Sequence, residues 1–375
     1  MKANVIRPGQ TIGILGGGQL GRMMAVAARH MGYRIAVLDP TEDCPCAQVA
    51  DEHIQADYDD VDAAKRLSDL SDVITYEFEN VDLEVARLFE EEGKLPQGAY
   101  SLEVTQNRSK EKEEAVNAGL AVPEYAIIHS EQELLDAINW IGYPAVIKTI
   151  SGGYDGKGQL KLETEDALQE LSSFLKDGGT YIVEQWLSFD LEISQVFTRG
   201  IDGAITYFPV AENIHKNHIL HETRVPANVT DDVTEKARQA VRTLADQMNI
   251  VGTFAVEMFV KDEAIHINEM APRPHNSGHF TIEACNVSQF EQHIRAICGL
   301  PLIPVHSFPA AVMVNVLGKH YDILTSKAEK YIDLHLHDYG KKEARTNRKM
   351  GHVTFIGNSL EEIDESIEAN QIHMW

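Results

Sequence analysis

The 375-residue chain predicts a mixed α/β and α+β fold, with an open parallel sheet first, an antiparallel body next and a small β-rich end. Three observations predict it. Strand-like and helix-like segments alternate as far as about residue 103, the mark of a parallel sheet with helical crossovers. From Leu191 to Pro226 the apolar period falls to two, as in half-buried antiparallel strands. Beyond residue 300 the segments read as short strands around a basic stretch. Boundaries at 1–103, 104–300 and 301–375 follow, in keeping with roughly 150 residues per domain.

Taken in order, TIGILG at 11–16 is a short apolar run ending in glycines, and QLGRMMAVAARHMG places Leu20, Met23, Met24, Ala27 and Ala28 on one helical face. Gly32 closes that helix, and YRIAVLD is a buried-type strand ending at Asp39. HIQADYDD with VDAAKRLSDL, and DVITYEF with LEVARLFEEEG, repeat the strand–helix unit. EVTQNRSKEKEEAVNAGL reads as one charged helix stopped by Gly119. VPEYAIIH, the helix EQELLDAINWIG and the strand YPAVIKTI precede the glycine-rich SGGYDGKGQ. YIVEQWL, the strands DLEISQVFTRG, AITYFPVAENI and ILHETRVPA, the helix TEKARQAVRTLADQMN and the hairpin FAVEMFVKDEAIHINEM complete the body.

Composition excludes several classes. A 43% hydrophobic, 24% charged chain supports a sizeable core. A net charge of −25 opposes nonspecific binding to nucleic acid or anionic membrane. No run approaches the roughly 18 apolar residues of a spanning helix, and the N-terminus lacks a signal-peptide core. Cys44, Cys46, Cys285 and Cys298 are too few and too irregularly spaced for a disulfide framework or zinc site, so a cytoplasmic setting is expected.

Gly16, Gly18 and Gly21 match G-x-G-x-x-G between a strand and a helix, with Asp39 ending the next strand. That pattern suits a nicotinamide or flavin dinucleotide, any other phosphate, or close helix–strand packing alone. A second phosphate motif lies further on. Lys148 ends a buried strand, and GGYDGKG at 152–158 follows with Lys157, a loop able to fold over phosphates with backbone donors and a cation. The strand YIV exits into Glu184, Gln185, Trp186 and Leu187, where backbone groups can read an adenine edge and Glu192 can reach ribose hydroxyls.

The hairpin around Asp262–Glu263 carries Glu257 and Glu269 on otherwise apolar strands. A three-residue loop sets Glu257 opposite Glu269, whereas a two-residue loop sets it opposite Asn268. Facing carboxylates are costly unless neutralised, and magnesium is the natural neutraliser beside substrate phosphates. The expected metal set is therefore Glu257, Glu269 and Asn268. Residues 341–349 hold five cations, Lys341, Lys342, Arg345, Arg348 and Lys349, against the single anion Glu343, an anion-binding patch on an acidic chain.

Lysine strand, glycine-rich loop, EQWL exit and two-glutamate hairpin, in that order, resemble the ATP-grasp superfamily. GILGGGQLGRM, YEFENV, GGYDGKGQ, NEMAPRPHNSGH and RKMGH together resemble its 5-(carboxyamino)imidazole ribonucleotide synthetase family over essentially the whole chain. The resemblance implies a pre-ATP-grasp N-terminal domain, a lid subdomain at about 112–182 and a homodimer. It implies that ATP is held by Arg108, Lys148, the lid Gly153, Tyr154, Asp155, Gly156, Lys157, Gly158 and Gln159, then Glu184 to Leu187, Glu192, His215, Asn268 and Glu269. Tyr154, Asp155, Lys157, Arg273 and His275 are the implied catalytic set, with Asn276 and Ser277 lining the pocket for bicarbonate and aminoimidazole ribonucleotide. Gln19, Leu20 and Glu77 or Glu79 would meet the ribonucleotide, and Lys341, Arg348 and Lys349 its 5′-phosphate. Two departures stand out. Thr346-Asn347 replaces the family's Pro-Gly, and HKNHILHETRVPA replaces a glycine-rich segment, leaving His218 and His221 as surface histidines without a role.

The implied reaction phosphorylates bicarbonate with ATP and magnesium, then carboxylates the ribonucleotide amine through carboxyphosphate. A formate-using glycinamide ribonucleotide ligase of the same superfamily is the nearest alternative, differing at HNSGH. A nicotinamide-dependent dehydrogenase built on the first glycine turn is the remote one.

Overall fold

Residues 5–152, 158–170, 174–175 and 179–372 are described by the computed structural model, at 168–170 by backbone alone. The lid positions Gly153, Tyr154, Asp155, Gly156 and Lys157 lie outside the described residues.

Strands β1 (Thr11–Leu15), β2 (Arg34–Leu38), β3 (Glu52–Ile54) and β4 (Val73–Tyr76) form a parallel sheet in the order β3-β2-β1-β4. Such strands are covered on both faces, which is why they read as continuous apolar runs. On one face α1 (Gln19–His30) buries Leu20, Met24, Ala25 and Ala28. Beside it the distant helix Gln289–Ile297 packs Phe290, Ile294 and Ile297 against Ile12 and Ile14. On the other face α2 (Val61–Leu70) and α3 (Leu83–Glu91) pack Leu67, Val85 and Phe89 against Leu15, Ala36 and Leu38. Asp60 and Asp82 cap those two helices, each side chain accepting two backbone N–H bonds of the first turn. The sheet is thus sealed partly by a helix from the body of the molecule.

The stretch expected as one charged helix divides into α4 (Tyr100–Thr105) and α5 (Arg108–Asn117). Asn107 breaks it, its side chain accepting from the Ser109 and Lys110 N–H groups. A four-stranded antiparallel sheet follows, β5 (Tyr125–Ile128), β6 (Ala145–Thr149), β7 (Gln159–Leu162) and β8 (Tyr181–Gln185) in the order β5-β8-β6-β7. Helix α6 (Glu131–Ile141) covers it with Leu134, Ala137, Ile138 and Ile141.

The third sheet comprises β9 (Leu191–Arg199), β10 (Ile205–Tyr207), β11 (Ala211–Lys216), β12 (Ile219–Val225), β13 (Gly252–Lys261), β14 (Ala264–Ala271), β15 (Ala310–Leu317), β16 (His335–Asp338) and β17 (Lys349–Gly357). Its order is β14-β13-β9-β11-β12-β15-β17-β16, with β10 also on β9, and all its pairs are antiparallel. Helix α7 (Asp231–Gln247) covers the β9–β13–β14 end. The C-terminal strands are not all short, since β15 has 8 residues and β17 has 9. They extend the same sheet, β15 pairing with β12 in the register Glu222 to Val314. The basic stretch is thereby brought to the sheet that carries the two-glutamate hairpin.

Candidate active site

The hairpin turn is two residues long, Lys261 pairing with Ala264, and Asp262 and Glu263 both have positive φ, as a tight turn with the right-handed strand twist requires. A two-residue turn should set Glu257 against Asn268. It does not, because the register shifts between Glu257 and Met258, and Glu257 pairs with Glu269. The facing carboxylates are real, but a bulge rather than a longer loop produces them. Glu257 is half-buried, and Glu269 is exposed. Burial pushes the Glu257 carboxyl well up, Glu192 and Glu269 add repulsion, and Lys349 and Arg273 oppose the rise.

Around Glu184 lies a buried lysine–carboxylate–lysine triad. Lys148 Nζ lies 3.1 Å from Glu184 Oε1, and Lys112 Nζ lies 3.6 Å from Glu184 Oε2. Lys112 also donates to the Ile267 and Asn268 carbonyls at 3.3 and 2.9 Å, tying α5 to the hairpin. Burial alone would raise the Glu184 carboxyl, but Lys112 and Lys148 outweigh it and hold it at about 2. Burial lowers Lys148, which Glu184 only partly offsets. The Glu184 side chain therefore orients lysines. The Gln185 and Trp186 N–H groups donate to the Glu124 and Pro144 carbonyls, so neither is left to read adenine. Arg108 opens α5, its backbone N–H on the Ile150 carbonyl at 3.0 Å, within electrostatic reach of Lys148 and Glu184. Gly158 accepts from the Thr149 N–H at 2.8 Å, and Gln159 pairs with Lys148. Glu192 and His215 meet directly, Nδ1 to Oε2 being 3.1 Å.

After β14, Arg273 donates from Nε to Glu79 Oε2 at 2.6 Å, joining the body to the segment that leaves β4. The two residues expected on separate substrate groups thus hold each other. His275 lies between that pair and the hairpin, its Nε2 3.8 Å from Glu257 Oε1. The Ser277 N–H donates to His275 Nδ1 at 3.3 Å, and the Ser277 hydroxyl sits 2.8 Å from it. An amide can only donate, so Nδ1 accepts and the ring proton resides on Nε2, facing the hairpin. Burial first, then Arg273, Lys349 and His215, push the ring well below the usual histidine range, so it is neutral at pH 7. Ser277 is fully buried and takes a bond from the Ser194 hydroxyl at 2.7 Å. Its hydroxyl and N–H both hold the His275 ring. The Asn276 amide is engaged reciprocally with buried Asn315, both bonds being 2.9 Å.

The N-terminal glycine turn is closed from inside. Glu77, buried, accepts from the Gly18 N–H and from the Gly21 N–H at 2.8 Å, taking the anion position at the start of α1. Asp39 accepts from the Gly17 N–H at 2.7 Å and from the Tyr58 hydroxyl at 2.7 Å. A pyrophosphate at this turn would find its donors occupied by two carboxylates, which overturns the nicotinamide reading. The glycines serve packing instead, a Cβ at Gly18 falling 2.5 Å from Glu77 Oε1 and one at Gly21 falling 2.7 Å from the Gly16 carbonyl. Leu20 is a core side chain, leaving Gln19 as the half-exposed side chain of this turn.

The basic loop approaches the same place. Lys341 Nζ donates to the Lys349 carbonyl at 2.7 Å, and its charge reaches Glu77, while that of Lys349 reaches Glu257 and His275. Arg348 is exposed and donates to the Glu343 carbonyl at 3.2 Å. The two unassigned histidines separate. His218 is exposed in the β11–β12 turn, but His221 is buried and held down to about 4 by desolvation, so it is no surface residue. Lys112 and Glu111 were not anticipated. Both are buried, and Glu111 accepts from the Met270 N–H at 2.5 Å.

Matching models of known families cover most of this architecture, namely a ribonucleotide synthetase preATP-grasp domain at residues 9–106, an ATP-grasp domain at 113–290 and a phosphoribosylaminoimidazole carboxylase C-terminal domain at 311–366. An N5-carboxyaminoimidazole ribonucleotide synthase of Bacillus subtilis is 47% identical over 357 residues, 95% of this chain and 94% of its own. The chain belongs to the N5-carboxyaminoimidazole ribonucleotide synthase family. It is an ATP-dependent ligase with the ATP-grasp fold. Among solved members of the family, the ADP complex of an N5-carboxyaminoimidazole ribonucleotide synthetase has a TM-score of 0.96 and 49% identity, covering 100% of this chain and 98% of that one. The family's synthase from Aspergillus clavatus, in complex with ADP and 5-aminoimidazole ribonucleotide, has a TM-score of 0.88 and 29% identity, covering 96% of each chain.

Proposed function

We propose that this chain carboxylates 5-aminoimidazole ribonucleotide with bicarbonate, using ATP and releasing ADP and phosphate, as a step of purine biosynthesis. One observation carries the reading at the level of residues. The Glu257 carboxyl lies within electrostatic reach of Glu192, Glu269, Arg273 and Lys349, groups from the ATP side and from the ribonucleotide side of the expected site. His275 adds a direct contact to this group, its Nε2 3.8 Å from Glu257 Oε1, so side chains expected to serve phosphoryl transfer and capture of its product converge on Glu257.

Bicarbonate is a poor electrophile, and attack of its oxygen on the γ-phosphorus with loss of ADP gives carboxyphosphate. Lys148, oriented by Glu184, offsets the charge on the transferring phosphoryl group. Glu257 and Glu269 fit a magnesium ion, because two facing carboxylates, one of them pushed well up by burial, form a site that a divalent cation would relieve. Bound there with Asn268 alongside, magnesium would supply charge neutralisation at phosphate oxygens. Arg273, fixed by Glu79, and the neutral His275, donating from Nε2, bind the bicarbonate-derived anion. The amine of the ribonucleotide then attacks the carboxyl carbon, or the carbon dioxide released from it, and phosphate leaves. Lys341 and Lys349 hold the 5′-phosphate beside the glycine turn. The family resemblance supports a role for Gly153 to Gln159 as a lid over the phosphates and for Asp155 as acceptor of the amine proton. The enzyme works in the cytoplasm as a homodimer, a reading supported by the family resemblance and testable by sedimentation.

The decisive experiment is coupled ADP release with each of the three substrates omitted in turn. Release that needs bicarbonate and the ribonucleotide together supports the reading, and release driven by formate, or by neither, refutes it.

A further inference from the structure

A second group of ligand-type side chains lies outside the machinery described above. His337 on β16 and His352 on β17 stand directly opposite in register, their rings stacked 4.5 Å apart at 11°. Glu283, on the short helix Thr281–Ala284, closes over them with Oε1 2.5 Å from His337 Nε2. One donor atom from each of the three lies within 4.8 Å of the others.

Two features mark this as more than a buried ion pair. His352 is fully buried, and its Nε2 has no hydrogen-bond partner among the described residues. Glu283 is 10% exposed at its side chain, and its Oε2 is equally without a partner among them. Buried polar atoms are rarely left so, since each costs about 1–3 kcal/mol. His352 Nδ1 is meanwhile anchored by the Tyr339 hydroxyl at 2.9 Å, the kind of outer bond that fixes the ring of a metal-ligating histidine.

We infer that Glu283, His337 and His352 form a binding site for a transition-metal dication of the zinc class. Two imidazoles and one carboxylate suit zinc, cobalt(II) or nickel(II) and not magnesium, which prefers oxygen donors alone. A tetrahedral ion at about 2.0–2.1 Å holds its ligand atoms about 3.3 Å apart. The donors lie within 4.8 Å of one another, wider than that spacing, so binding requires the stacked His337 and His352 rings to rotate until their nitrogens converge. The ion replaces the proton shared by Glu283 and His337, satisfies both orphaned atoms and leaves its fourth position for water. It also cross-links the strand that begins at Lys349 to the short helix that follows His275 and Ser277.

The test is titration of the metal-free full-length protein with cobalt(II) chloride, in excess magnesium to fill the Glu257–Glu269 pair, followed by visible absorption and by competition with zinc. One equivalent should bind with the intense bands of low-coordinate cobalt, and zinc should displace it. His337→Ala, at a part-exposed edge-strand position, and Glu283→Gln should each weaken binding by about tenfold or more. Glu269→Gln should leave it unchanged. The inference is overturned by no stoichiometric binding, by binding that survives both His337→Ala and Glu283→Gln, or by binding abolished by Glu269→Gln. Circular dichroism of each variant confirms that a loss is local.

Discussion

Glu257 and Glu269 face each other across a tight hairpin because one strand is shifted by a bulge at Glu257–Met258, which passes Asn268 over in the register. A bulge next to a cluster of charge re-aims a side chain at the expense of a ladder bond, and such features concentrate near active sites. Without it, one of the two carboxylates would face an amide.

Glu269→Gln retains shape and removes one charge. Turnover is expected to fall about 100- to 1000-fold, equivalent to roughly 3–4 kcal/mol of lost electrostatic stabilisation. Thermal unfolding without metal should be unchanged or improved, since Glu257 loses a repelling neighbour. Near-normal turnover across a magnesium titration would remove the metal assignment.

Lys341→Ala should raise KM for the ribonucleotide by about tenfold to a hundredfold while KM for ATP stays within about threefold, as expected for one charge-assisted phosphate contact. Arg348→Ala, at a more exposed position, should show the same split to a smaller degree. A rise in KM for ATP instead would place the anchor wrongly.

Glu184 links function to acid stability. Its carboxyl is held at about 2 in the folded chain, below the ordinary 4.5. Its contribution is therefore complete above about pH 4.5 and is lost as pH falls toward 2, amounting to about 3 kcal/mol. Urea unfolding of Glu184→Gln should be less pH-dependent in that window than that of the parent chain. An identical slope in both would show that the Lys112–Glu184–Lys148 triad does not act as a unit.

Gly18→Ala tests the glycine turn. The added Cβ would lie 2.5 Å from Glu77 Oε1, so the carboxylate must move and the α1 N-terminus loses its internal acceptor. A destabilisation of about 1–3 kcal/mol in thermal or urea unfolding is expected. NADH titration should give no change in fluorescence in either protein. Saturable NADH binding abolished by the substitution would restore the dinucleotide reading.

The sequence by itself determined the alternation that makes the first sheet parallel, the glycine loop after Lys148, and the two glutamates on one hairpin, because each is written in local periodicity and spacing. It also carried the motifs that place the chain in its family. What it could not decide depends on partners distant along the chain. Helix α5 is polar on every side, so nothing local distinguishes the buried Lys112 from its solvated neighbours, and its burial makes sense only once Glu184 and the β14 carbonyls arrive to satisfy it. The glycine turn reads as a phosphate cradle until Glu77, 56 residues beyond Gly21, fills it. The Glu257–Glu269 register hinges on a bulge that has no local signature. Tertiary structure decided these points for a common reason, that buried charge is stable only with its complement in place, and that complement came from another element of the fold.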